Sequence, residues 1–122
     1  MSQPILKGFK AVSAQTADQT NTSSEIICDG INQLFILCTV SGATSPVGVL
    51  NVYAACAGPS GTSSYVALVA AQVKGTSAVN ANASFSLIVP ECPFNKFKVE
   101  YTRTSGSGGT MDIWVAGKSL GG

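Results

Sequence analysis

The sequence has no histidine and little charge. Its 122 residues include seven basic and six acidic side chains, which together make up 11% of the chain. Without an imidazole there is no base for a Ser/His/Asp or Cys/His catalytic scheme, and the commonest zinc ligand is missing. We therefore expect no enzyme, no catalytic residues, no metal site and no cofactor. So little charge is unusual for a free monomer and favours a surface that another molecule partly covers.

Long apolar segments are also missing. The longest aliphatic run, 66–71, is far shorter than the roughly 20 residues of a membrane-spanning helix. The first residues hold no basic segment followed by an apolar one, so we expect no secretory signal. The protein is then made and kept in the cytoplasm, or it leaves the cell by lysis. A formal net charge of +1 gives no basic field for nucleic acid. The expected partners are proteins, with no nucleic acid and no membrane among them.

Four cysteines are present: Cys28, Cys38, Cys56 and Cys92. Cys38 and Cys56 fall on the core-facing side of their predicted strands, which is typical of small buried thiols. Thiols stay reduced in the cytoplasm, and this disfavours a disulfide framework. A bridge between Cys28 and Cys92, which lie at predicted strand ends, stays open as the alternative.

Strand signal runs through the whole chain. Short stretches of alternating Val, Ile, Leu, Phe and Tyr are separated by clusters of Gly, Ser, Thr, Asn and Pro. Eight such runs lie near 5–12, 23–28, 32–41, 47–56, 64–73, 83–89, 95–104 and 110–118. Their regular spacing predicts an all-β protein, with a single domain over 1–122. We expect an eight-stranded antiparallel β-sandwich of jelly-roll-like or Ig-like type.

The last two runs each have one apolar and one polar face. The apolar residues are Phe97, Val99 and Tyr101 in the first run and Met111, Ile113 and Val115 in the second. Because side chains alternate along a strand, these rows are expected to face the core. The Gly-rich loop between the runs predicts an antiparallel hairpin. In that hairpin Trp114 lies on the same outer face as Lys96 and Lys98.

The middle strands differ, because both of their faces are apolar. Phe35 and Leu37 lie opposite one apolar row, and Val47 and Val49 lie opposite another. A domain of this size has one core, so the N-terminal segment, a loop or another subunit must cover the second apolar face. Burying one such Phe or Leu stabilises by about 1.5 to 3 kcal/mol, which favours a homo-oligomer, a trimer ahead of a dimer.

The N-terminal segment 1–12 precedes a polar span, 13–24, that is nearly free of large apolar side chains. One interpretation is an edge strand of the same sandwich, which is the commoner arrangement in so short a domain. A second is an N-terminal arm that adds a strand to a neighbour by main-chain pairing. In a third, the segment folds over the second apolar face.

Outward aromatic side chains are the remaining candidates for binding: Trp114, Tyr53 and Tyr65. Exposed rings stack on sugars in carbohydrate-binding modules, and they also anchor contacts between proteins. We favour protein interfaces, with self-association through Phe35 and Leu37. The interface set is Phe35, Leu37, Val47, Val49, Trp114, Lys96 and Lys98. The alternative is a receptor-binding or carbohydrate-binding module that uses the three aromatic rings.

The C-terminal part, 97–118, reads FKVEYTRTSGSGGTMDIWVAGK. An aromatic strand ends in Y-T-R-T-S-G and leads through G-G-T into a short strand ending in G-K. A polar opening at 15–24, a strand at 31–39 and a G-V-L-N-V strand at 48–52 precede it. Over roughly 12–118 this pattern resembles small virion structural proteins of tailed bacteriophages.

The resemblance implies a structural β-sandwich of the virion, such as a capsid decoration or cement protein. Such a protein is assembled into the particle in the host cytoplasm and binds the major capsid protein or other virion proteins. No catalytic residues carry over with the resemblance.

Overall fold

The computed structural model describes residues 5–17, 19–28, 30–55, 65–69, 72–92 and 94–119. Within these ranges every regular element is a strand: β1 (Ile5–Thr16), β2 (Asn21–Thr22), β3 (Ile26–Ile27), β4 (Gln33–Ser41), β5 (Thr44–Ala55), β6 (Val66–Ala67), β7 (Lys74–Gly75), β8 (Ala78–Val79), β9 (Ser84–Val89), β10 (Lys96–Ser107) and β11 (Thr110–Lys118). The prediction of an all-β protein is confirmed. Eleven strand segments are present where eight were expected, because three further two-residue strands, β2, β7 and β8, form outside the predicted runs. Cys56 and the predicted turn at 58–61 lie outside the described residues.

Two antiparallel sheets enclose one core. Sheet A has the strand order β1-β11-β4-β9-β7. Sheet B has the order β2-β10-β5-β6, and β3 pairs with β10 while β8 pairs with β5. Buried side chains from both sheets form a single apolar cluster. The arrangement is therefore sandwich-like, and the chain changes sheet repeatedly, including at the connections β4–β5, β9–β10 and β10–β11 between its longer strands.

The last two strands do not form the predicted hairpin. β10 pairs with β2, β3 and β5 in sheet B, whereas β11 pairs with β1 and β4 in sheet A. Trp114 therefore lies on the outer face of sheet A and Lys96 and Lys98 lie on the outer side of sheet B, so the prediction that they share a face is wrong. The reason is core burial. In opposite sheets, the apolar rows of both strands face one core, and all of their residues are buried.

Glycines allow the crossing from β10 to β11. Gly108 and Gly109 have φ angles of 64° and 84°, a left-handed backbone that residues with a Cβ rarely adopt. A Cβ added to Gly109 would lie 2.6 Å from the Cβ of Ala43. Ala43 stands between β4 and β5. The two tight crossings between the sheets therefore pack against each other at one end of the molecule.

From Ile5 onward the N-terminal segment forms the edge strand of sheet A. β1 pairs with β11 from Ile5, opposite Lys118, to Thr16, opposite Thr110, with three register shifts along the way. β1 is a strand of sheet A itself, separated from β4 by β11, so it does not cover the outward apolar side chains of β4.

Glu100 links neighbouring strands of sheet B through hydrogen bonds. Its carboxylate accepts hydrogen bonds from the hydroxyls of Thr22 at 2.7 Å, Thr102 at 2.8 Å and Tyr53 at 3.4 Å. The bond from Thr22 is the main reason that the pKa of Glu100 lies below its ordinary value of 4.5. The two-residue strand β2 is thereby joined to β10 through side chains as well as through the main chain.

Gly48 is the position where the inner face of β5 has no room for a side chain. An added Cβ would overlap the ring of Tyr101 and approach the carbonyl oxygen of Thr102 to 2.7 Å. Tyr101 is fully buried, so its ring cannot move aside. We expect Gly48→Ala to lower the free energy of unfolding by about 1 to 3 kcal/mol, as overpacked cores do. Urea denaturation measures the change.

Gly8→Ala is the matched control for this substitution. A Cβ at Gly8 would make an ordinary contact, 3.9 Å from the Cβ of Ala116. We expect this variant to lose no stability. Equal unfolding free energies for the wild type and Gly48→Ala would contradict the packing of Gly48 against Tyr101.

The hydrogen bonds of Glu100 predict how the free energy of unfolding depends on pH. Because folding lowers the pKa of this carboxyl, it stabilises the folded state above its ordinary pKa. The contribution is lost as the pH falls through the lower, folded value. We expect Glu100→Gln to reduce stability at pH 7 and to flatten the loss of stability as the pH falls below the ordinary pKa of 4.5. Unfolding curves at a series of pH values measure this, with Glu91→Gln, at an exposed carboxylate, as the control. Parallel pH profiles for the wild type and Glu100→Gln would rule the assignment out.

Candidate functional site

Five apolar side chains lie on the outer face of three neighbouring strands of sheet A. β4 pairs with β11 on one side and with β9 on the other, and directly opposed residues share a face. In one row Leu37 lies opposite Trp114, and in the next Phe35 lies opposite Ala116 and Ile88. We call this set the apolar strip: Phe35, Leu37, Ile88, Trp114 and Ala116.

The large side chains of the apolar strip are accessible. Phe35 is 44% exposed, Ile88 is 45% exposed and Trp114 is 39% exposed. A shallow groove of about 300 Å³ lies at one end of the strip, with Phe35, Ile88 and Lys118 among its lining residues. Contiguous apolar side chains on an outer face mark contact surfaces, whereas single exposed apolar residues are common on any protein.

A lysine from the neighbouring strand contacts Trp114. Lys10 lies directly opposite Trp114 in the β1–β11 ladder, and its Nζ is 5.1 Å from the centre of the indole ring. This distance is within the range of a cation–π interaction. The same Nζ lies 3.4 Å from Oδ1 of Asp112. These contacts position the indole at the β1 side of the apolar strip.

The outer side of sheet B carries a cluster of charged and aromatic groups instead. The Nζ of Lys96 lies 3.7 Å from Oε1 of Glu25, and the Nζ of Lys98 lies 4.4 Å from the centre of the Tyr65 ring. The Tyr65 hydroxyl donates a hydrogen bond to Oε2 of Glu25. This bond lowers the pKa of Glu25, while desolvation and the same bond raise the pKa of Tyr65 to about 12. Lys96 therefore has a carboxylate partner within the chain, and Lys98 has an aromatic one.

The residues predicted to form interfaces divide between the two outer faces. Phe35, Leu37 and Trp114 come together in the apolar strip. The remaining four lie on strands of sheet B: Val47, Val49, Lys96 and Lys98. The sequence therefore identified members of two surfaces: the apolar strip on sheet A, and on sheet B the exposed Val47 and Val49 together with two lysines.

The three outward aromatic rings do not form one platform. Trp114 lies on sheet A, whereas Tyr53 lies opposite Lys98 on sheet B, and Tyr65 contacts that same lysine. The hydroxyl of Tyr53 also donates to Glu100. A sugar site built from all three rings is incompatible with this geometry.

Ile88 and Lys10 are among the residues in and around the apolar strip that sequence reasoning missed. Ile88 alternates with the buried residues Leu87 and Val89, so its outward direction is visible in the sequence. Its membership of the strip follows only from the pairing of β9 with β4. Lys10 meets Trp114 because β1 happens to be the neighbour of β11, and no local signal predicts that.

Cys38 and Cys92 are poor nucleophiles. Burial, with a smaller effect of Asp112, raises the pKa of Cys38 to about 12, and burial raises the pKa of Cys92 to about 11. The Cys28 thiol donates a hydrogen bond to the carbonyl oxygen of Phe94 at 3.6 Å. Cys92 is a free thiol, so the alternative of a bridge between Cys28 and Cys92 is not formed in this structure.

Within the described ranges, no three or more His, Cys, Asp or Glu side chains gather as they would around a metal ion. In the same part of the chain no helix has the length and apolar character needed to cross a membrane.

Comparison with known proteins gives a likeness of fold. No protein-family model matches the chain, and no curated protein sequence matches it. The crystal structure of the SPBc2 prophage-derived protein YomS is similar, with a TM-score of 0.60 and 12% sequence identity. The match covers 98% of this chain and 96% of that one. At this identity the likeness shows the fold alone, and this chain is similar in fold to YomS over nearly the full length of both.

Proposed function

We propose that this protein is a structural component of a bacteriophage particle, and specifically a capsid decoration or cement protein. It binds the outside of the shell where major capsid subunits meet. The observation that carries the proposal is the apolar strip, which exposes Phe35, Ile88 and Trp114 on a sheet of a chain with only 11% charged residues. Such a surface is suited to contact with another protein.

Two likenesses support a phage particle. The Y-T-R-T-S-G and G-G-T features within 97–118 resemble virion proteins of tailed phages. The backbone of nearly the whole chain is similar to that of a protein that is itself prophage-derived. The first likeness is one of sequence pattern and the second is one of fold. Together they favour a phage protein over a small β-sandwich from another source.

Binding through the strip is passive in this proposal. A sheet is rigid and loses little conformational freedom on binding, which reduces the cost of association. Phe35, Ile88 and Trp114 are already more than half buried, so covering the rest of each contributes less than the roughly 1.5 to 3 kcal/mol of a fully buried apolar side chain. A protein that binds the assembled shell better than free subunits stabilises the shell by mass action.

The partner is the major capsid protein or another virion protein, and the place of action is the virion. Nucleic acid and membranes are not partners in this proposal. The formal net charge of +1 provides no general attraction to phosphate. Repetition of the same small contact over a symmetric shell strengthens attachment without enlarging any one interface.

Purified particles test the proposal. Particles of the phage that encodes the chain are isolated on a density gradient, and mass spectrometry and gold labelling in electron micrographs locate the tagged chain. We expect label on the shell. Phe35→Asp places a charge in the buried contact, so we expect it to lower the amount bound to particles by at least about tenfold.

Val49→Asp is the matched control. It introduces the same charge on sheet B at a position of similar exposure, 41% against 44% for Phe35. We expect this variant to occupy particles as the wild type does. The proposal fails if the chain stays in the soluble fraction. Label confined to the tail would refute the cement role and favour the receptor-binding alternative.

A further inference from the structure

We infer that the partner of the apolar strip is a protein surface with an apolar centre and a margin rich in carboxylates, and that it is not a second copy of this chain. The inference rests on the proposed function, because it names the chemistry of the partner at the same site. The placement of charged side chains around the strip carries it.

Lysines border the apolar strip on three sides. Lys10 lies opposite Trp114 in the β1–β11 ladder, and Lys74 lies opposite Ile88 in the β7–β9 ladder. Lys118, at the end of β11, lines the groove at the end of the strip. Directly opposed residues of a ladder point to the same side, and alternate residues of a strand do too. All three lysines therefore belong to the outer face of sheet A.

Carboxylates are scarce on this face. Among the described residues of the strands of sheet A, Asp112 is the one carboxylate, and Lys10 contacts it at 3.4 Å. Glu25 contacts Lys96 on the side of sheet B, Glu100 lies on β10 of that sheet, and Glu91 follows the end of β9. The described part of the face thus carries three ammonium groups against one carboxylate.

A stable interface is larger than the apolar strip, so it would include the lysines that border the strip. A standard interface covers about 800 Å² on each partner. The five strands of sheet A and the nine residues of β4 give a face of about 20 by 30 Å, or roughly 600 Å². The apolar strip fills only the middle of that face. A partner of ordinary size must therefore cover the margin as well, and carboxylates there would turn the charge of the lysines into attraction.

A second copy of this chain fits the face poorly. Sheets that pack face to face lie about 10 Å apart, so two copies would bring their lysines close together. Within the described part of the chain, Lys74 and Lys118 form no ion pair that would offset the repulsion. Salt screens charges at this distance only in part. The charge pattern therefore disfavours the self-association through Phe35 and Leu37 that the sequence suggested.

A variant of this chain with two border lysines changed to glutamate, the charge-reversed copy, serves as a test partner, because it has an apolar strip with an acidic margin. In Lys74→Glu/Lys118→Glu the described face carries one lysine and three carboxylates. At about 100 μM we expect each protein alone to sediment as a monomer and an equimolar mixture to form a one-to-one complex at low salt. Raising the salt from about 0.05 M to about 0.5 M should weaken the complex by about tenfold or more. Analytical ultracentrifugation measures both effects.

Two matched variants distinguish binding through the outer face of sheet A from attraction that depends only on net charge. Lys98→Glu/Arg103→Glu makes the same change in charge on β10 of sheet B, and we expect it not to pair with the wild type. Adding Phe35→Asp to the charge-reversed copy keeps the acidic margin and removes the apolar centre, so we expect pairing to be lost. Thermal melts establish that each variant is folded before mixing.

Three results would overturn the inference. Self-association of the wild type that Phe35→Asp abolishes would identify a second copy as the occupant. A mixture that stays monomeric would exclude an acidic margin as the recognition feature. Pairing that Lys98→Glu/Arg103→Glu reproduces would trace the attraction to net charge. The particle experiment is independent of all three, since absence from particles refutes the proposed function and leaves the chemistry of the face untouched.

Discussion

Each strand of this protein can bury only one of its two faces, and both sheets commit that face to a single core. Phe97 and Ile113, from opposite sheets, are both fully buried, and so is Ile36 on β4. Once the inner faces are used in this way, any further apolar residue on a strand has to point outward. Phe35 and Leu37 do so on β4. The apolar strip is therefore a consequence of how the core is built.

Side-chain alternation was sufficient to predict which residues face the core and which face outward. The inward direction of Phe97 and the outward directions of Phe35 and Trp114 follow from a period of two along a single strand. The sheet that a strand joins does not follow, because it depends on partners far away in the chain. The glycines between β10 and β11 suit a hairpin and a crossing between sheets equally well. The members of the strip on β4 and β11 were thus predictable, whereas Ile88 needed the pairing of β9.

The few charged residues are distributed unequally between the two outer faces. On sheet B, Lys96 contacts Glu25, Lys98 lies over Tyr65, and hydroxyl groups satisfy the carboxylate of Glu100. On sheet A the lysines outnumber the carboxylates among the described side chains. A composition poor in charge suggested only that something covers the surface. The structure makes that suggestion specific, because the outer face of sheet A combines a contiguous apolar strip with lysines that outnumber the carboxylates on its described strands.

The likeness to YomS at 12% identity also bears on where binding specificity resides. A two-sheet core tolerates many apolar sequences as long as volume and pattern are kept, so inward positions can diverge while the fold persists. Outward positions are under no such constraint, and a change there alters what the sheet can bind without altering the backbone. The fold therefore says little about the partner. The outward rows of β4, β9 and β11 and the lysines beside them are the part of this chain from which a partner has to be argued, and together they call for an apolar surface bordered by negative charge.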